Sequence, residues 1–121
     1  MDYLFTHGTL RRGCENSALI SAGTFLGRAE TAQRYTLCIV NRKPVITKNP
    51  VSTIKGEVYS VTSEILTAVD RFASHPRINR RELVPVQLED GKTVDAWIYF
   101  YIQPLHNQTL IESGDYTERS G

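Results

Sequence analysis

The chain has 121 residues, room for one domain and little more. Its 14 basic and 13 acidic residues leave a formal net charge of +1, which argues against a general nucleic-acid binder or a membrane-surface protein. At 40% hydrophobic and 22% charged it is composed like a soluble globular protein, and Cys14 and Cys38, in no CxxC pair and beside no histidine set, argue against a zinc site and read as free thiols in a reducing compartment.

The opening Met1-Asp2-Tyr3-Leu4-Phe5-Thr6 has no basic segment and is too short for a signal peptide, and no apolar run approaches the roughly 20 residues of a membrane span. The expected location is the cytoplasm. Tyr3 to Thr6 reads as a strand that breaks at His7-Gly8-Thr9-Leu10-Arg11-Arg12-Gly13, a loop rich in glycine and arginine. Glu15 to Ile20 suits a short helix, and strands are expected near Thr24–Ala29 and Arg34–Val40. Pro44 to Thr47, between two prolines, suits a short edge strand. Lys55 to Val61 alternates, with Val58 and Ser60 on one side and Glu57, Tyr59 and Val61 on the other. Ser63 is placed to cap a helix whose Ile65, Leu66, Val69 and Phe72 recur at three- and four-residue steps, and His75-Pro76 is expected to stop it. Leu83–Leu88 and Val94–Tyr101 read as a hairpin about Glu89-Asp90-Gly91-Lys92, with Ala96, Ile98 and Phe100 on one face and Trp97, Tyr99 and Tyr101 on the other. Mostly strands, one main helix and no βαβ rhythm predict an α+β domain over residues 1–121, built on a small, mixed, barrel-like sheet.

Four blocks carry a resemblance. Phe5-Thr6-His7-Gly8-Thr9-Leu10 is similar to an apolar strand running into Tyr-Gly-Thr/Ser-Leu. Gly56-Glu57-Val58-Tyr59 is similar to a central Gly-Glu-Val-Tyr strand. Val69-Asp70-Arg71-Phe72-Ala73-Ser74-His75-Pro76, followed by Arg81, resembles Leu-Asp-x-x-Glu-Gly-x-Pro-x-x-Tyr-x-Arg. Leu110 to Tyr116 resembles the C-terminal end of bacterial members. In this order the blocks resemble the gamma-glutamylcyclotransferase-like family. The resemblance implies a small barrel with a pocket where the Gly-Thr-Leu loop presents backbone N–H groups. In active members that loop holds the carboxylate and amine end of a gamma-glutamyl group. A glutamate moves protons while the substrate's own amine attacks its gamma carbonyl, giving 5-oxoproline and a free amine. No cofactor and no metal are implied.

Ala73 stands at that glutamate's position, and a methyl group cannot transfer protons. A positioned acid/base of this kind is worth about two to four orders of magnitude in rate. Glu82, at the start of the next strand, is the nearest substitute; Asp70 and Glu57 read as structural partners. His7 and Asn79 replace the motif's two tyrosines. Gly8 lets the backbone turn sharply, and with Thr9 and Leu10 it can cradle an anion. Arg11 or Arg12 suits a carboxylate or phosphate at the mouth, Arg81 is a further ligand-binding candidate as the arginine of the resembled motif, and one or two of Tyr35, Trp97, Tyr99 and Tyr101 can face the pocket and stack on a flat ligand. These departures point to a non-catalytic member that sequesters or senses a small anionic, gamma-glutamyl-like or nucleotide-like metabolite, with a homo-oligomer left open. The alternatives are an active gamma-glutamyl or gamma-glutamylamine cyclotransferase with a relocated acid, or an engineered Glu-to-Ala form of one.

Overall fold

Two long strands frame the molecule, whose computed structural model describes residues 2–118. β1 is Asp2–Thr6, β2 Thr24–Val40 and β3 Lys43–Val61; β2 and β3 pair antiparallel from Thr24↔Ser60 to Val40↔Lys43. The sequence suggested two strands where β2 is one, and an isolated edge strand where β3 is continuous. The reason is irregular register, which shifts between Glu30 and Arg34 and again between Tyr35 and Thr36. Such bulges break the alternation that marks a strand without ending its ladder. Pro50 sits where β3 bows out between Thr47 and Ser52, so it displaces no ladder bond.

The remaining elements are α1 (Ser63–Phe72), β4 (Asn79–Leu88), β5 (Thr93–Tyr101) and β6 (Thr109–Leu110). β4 and β5 form the expected hairpin, β4 pairs with β2, and β1 lies antiparallel to β3 and parallel to β5 at Leu4↔Trp97. The order β3-β1-β5-β4-β2, with β2 returning to β3, closes a five-stranded barrel; β6 adds to β2. This is an α+β fold.

Ala96, Ile98 and Phe100 face the barrel interior with Phe5, Leu37 and Val58. The opposite face of β5 is covered too. Tyr99 joins Leu4, Tyr59 and Val61 under α1, whose Leu66 and Val69 are buried, and under the 3-10 turn Ser17–Ile20. That turn replaces the short helix expected over Glu15–Ile20. The cap of α1 lies one residue earlier than expected: Thr62 Oγ1 accepts from the Ile65 N–H at 3.2 Å. The helix also stops earlier, at Ala73, because Ser74 turns left-handed at φ 54 before His75-Pro76 is reached. Phe72, expected on the buried face, is 48% exposed. No helix among the described residues is long and apolar enough to cross a membrane.

Candidate functional site

The end of β1, the loop after it, the tip of the β2–β3 hairpin and the C-terminal end of α1 enclose a cavity of about 590 Å³. The loop is folded on itself: the Arg11 N–H donates to Gly8 O at 3.0 Å, and the Asn16 N–H and side-chain amide donate to Thr9 O and Oγ1, both at 2.9 Å. Glu57, buried in β3, accepts from the Arg12 N–H at 2.7 Å. The backbone amides of Gly8, Thr9 and Leu10 donate to no protein acceptor among the described residues, which leaves three successive donors on residues that line the cavity.

Gly8 is required by packing. A Cβ there would lie 2.5 Å from Pro44 Cγ, so the loop and the hairpin tip meet at van der Waals contact only because Gly8 has no side chain. His7 makes the same junction polar, its Nε2 lying 3.4 Å from Pro44 O. Burial of the ring disfavours its cation and outweighs the Pro44 carbonyl; Arg11 acts in the same direction as burial. The His7 pKa falls from 6.5 to about 4, so the ring is neutral near neutral pH.

Ala73 and Asn79 both line the cavity, and the Asn79 side-chain amide donates to Ala73 O at 2.8 Å. Asp70, one turn back, does not line it. Its Oδ1 accepts from Arg81 Nε at 2.8 Å and from the Tyr99 hydroxyl at 2.6 Å. Burial, then the hydrogen bond to Asp70 and its charge, push the Tyr99 phenol far above its usual range, against the opposing pull of Arg81. Tyr99 is thus a fixed, neutral wall of the cavity.

The other expected residues lie elsewhere. Arg81 stands behind that wall, with its guanidinium 4.2 Å from the Trp97 ring centroid. Arg11 turns away to Asp115, at 2.7 Å. Neither lines the cavity. Tyr35 and Glu82 line a separate cavity of about 540 Å³ with Lys48 and Phe100. Glu82 shares the inward parity of Val84 and Val86 and pairs with Lys48 at 2.7 Å, which carries it away from the Gly8 loop. Of the four aromatics expected to supply a pocket wall, Tyr99 and Tyr101 line the main cavity; sequence reasoning missed Glu15, Arg42 and Lys43, which line it too. Asn41-Arg42 between two strands was a legible signal, since both residues take the positive φ of a two-residue hairpin turn, 51° and 67°. Glu15 carried no signal of its own.

The chain matches the model of the family described as "Gamma-glutamyl cyclotransferase, AIG2-like" over residues 4–118. It belongs to that family. A Methanocaldococcus jannaschii protein, provisionally named a gamma-glutamylcyclotransferase, is 37% identical over the whole of both chains. Human gamma-glutamylaminecyclotransferase is 31% identical, over 79% of this chain and 69% of its own length. Among solved structures, an AIG2-like protein from Mus musculus superposes with a TM-score of 0.86 at 26% identity, covering 96% of this chain and 88% of the mouse one. Family membership accounts for the barrel and for the order of the four sequence blocks.

Proposed function

We propose that this member of the gamma-glutamyl cyclotransferase, AIG2-like family binds a small gamma-glutamyl-like or otherwise anionic metabolite in the cavity without converting it to 5-oxoproline, as a protein that sequesters or senses its ligand would. The observation that carries this reading is Ala73. It lines the cavity at the residue that the motif aligns with the family's glutamate, and it offers only a methyl group. The carboxylates weighed as replacements are engaged: Asp70 with Arg81 and Tyr99, Glu57 with the Arg12 amide, Glu82 with Lys48 in the other cavity. A histidine held neutral down to about pH 4 is a weak base. The free donors of Gly8, Thr9 and Leu10 still suit a carboxylate.

One observation favours a second reading. Glu15 is exposed and lines the cavity, so a cyclotransferase with a relocated acid would use it. Calorimetric titration with a panel of gamma-glutamyl compounds, alongside an assay for 5-oxoproline on this chain and on Ala73→Glu, separates the two. The expected outcome is saturable heat without product from the chain, and product from Ala73→Glu. Turnover by the chain itself, abolished in Glu15→Gln, would overturn the binding reading in favour of the second.

A further inference from the structure

We infer that the tip of the β2–β3 hairpin is an anion-selecting lip, so that the ligand of this cavity carries a further acidic group beyond the part held by the Gly8 loop. The inference rests on the binding reading above and specifies the ligand class.

The tip is built to hold charge in a fixed place. Val40 pairs with Lys43, which leaves Asn41-Arg42 as a two-residue turn with both residues left-handed. Such a turn is short and stiff, so it fixes the points from which Arg42 and Lys43 project. The next residue, Pro44, packs against Gly8 and faces the His7 ring. The lip is therefore anchored directly beside the loop whose free amides belong to cavity-lining residues.

Arg42 and Lys43 are exposed, both line the cavity, and neither forms an ion pair among the described residues. The neighbouring arginines differ in this respect. Arg11 is paired with Asp115, Arg81 with Asp70, and Arg12 lies over the Phe25 ring. Against the two lip cations the lining sets one carboxylate among the described residues, Glu15. A lining with this charge balance, around an apolar floor that includes Leu4, Val69 and Tyr99, favours a ligand whose far end is a carboxylate or phosphate. An arginine fork and a lysine side by side suit either group, the arginine by two parallel hydrogen bonds and the lysine as a point charge.

Three probes share the gamma-glutamyl group and differ at the far end: gamma-glutamylbutylamine is uncharged there, gamma-glutamylglutamate carries two carboxylates, and gamma-glutamylphosphoethanolamine carries a phosphate. Calorimetry on the chain is expected to show at least one acidic probe binding about tenfold or more tightly than the butylamine compound, each tenfold step corresponding to about 1.4 kcal/mol. Which acidic probe leads identifies carboxylate or phosphate as the source. In R42Q/K43Q the three affinities should converge to within about twofold, and raising the salt should narrow them in the unaltered chain. Equal affinities in the unaltered chain, or a ranking that survives in R42Q/K43Q, would overturn the lip and leave the binding function standing. If none of the three binds, the gamma-glutamyl form of the binding function fails and the lip, which rests on it, fails with it. Both residues are exposed on a turn, and matching thermal midpoints for the variant and the parent establish that any loss is not unfolding.

Discussion

Arg11 Nη1 and Asp115 Oδ1, 104 residues apart in sequence, meet at 2.7 Å with both residues buried. The same carboxylate oxygen accepts from the Thr117 N–H at 2.9 Å and from its hydroxyl at 2.6 Å. The pair ties the cavity loop to a segment that is itself pinned to the barrel, with the Lys55 N–H donating to Gly114 O at 2.8 Å. Asp115→Asn leaves a buried guanidinium without its counter-charge, and should destabilise the fold by about 3–5 kcal/mol in urea denaturation. The same variant reports on acid sensitivity. Burial pushes the Asp115 carboxyl up, but Thr117 and Arg11 together outweigh it and hold the group below its ordinary range. A carboxyl with a lowered folded-state pKa stabilises fully above the unfolded value of about 4, and that stability is lost as pH falls through the folded value. The advantage of the parent over Asp115→Asn should therefore shrink below that pH.

His7 predicts a different window. Its ring is harder to protonate folded than unfolded, with a pKa of about 4 against 6.5. Between those values the unfolded chain binds more protons, so stability must fall as pH is lowered from about 6.5 to about 4. His7→Gln should remove that slope. A ring that titrates near 6.5 by NMR in the folded protein would contradict the burial described for it.

Two glycines should differ in the cost of a methyl group. Gly8→Ala places a Cβ 2.5 Å from Pro44 Cγ, and Gly56→Ala places one 2.0 Å from the Thr6 carbonyl oxygen where β3 crosses β1. Overpacking of this kind costs about 1–3 kcal/mol where neighbours can shift, and more where they cannot. Pro44→Ala should recover part of the loss in Gly8→Ala, measured as a double-mutant cycle by thermal denaturation. It should recover nothing in Gly56→Ala, which clashes with backbone.

The helix cap gives a compact comparison. Thr62→Ala removes the side-chain acceptor for the Ile65 N–H and should cost about 1 kcal/mol. Ser63→Ala, one residue on, should change the melting midpoint by far less.

What the sequence disclosed depended on period. β5 announced itself because Ala96, Ile98 and Phe100 alternate with Trp97, Tyr99 and Tyr101, and the chain keeps that alternation in space. β2 and β3 were legible only in pieces, because their bulges insert polar residues such as Thr31, whose hydroxyl serves its own neighbour Gln33 at 2.7 Å. The same contrast holds at the site. His7, Gly8, Ala73 and Asn79 could be found because each sits in a contiguous block that resembles a known motif. The Asn41-Arg42 turn was legible, but that Arg42, Lys43 and Glu15 reach the cavity depends on the closure of the barrel and the fold of the loop, which lie beyond any local pattern. Arg11 and Arg81 were chosen for the chemistry they could offer a ligand. Asp115 and Asp70 take that chemistry first, and neither partnership is visible from spacing alone.

The placement of β1 bears on how the chain can be made. β1 lies between β3 and β5, and its parallel neighbour Trp97 follows Leu4 by most of the chain. During synthesis β1, made before the other strands described, waits longest for both partners, since the barrel cannot shut until β5 has emerged. Until then the β2–β3 hairpin is the largest unit that can form from local pairing. A chain stopped before Trp97 would therefore hold an open sheet with an unmatched edge.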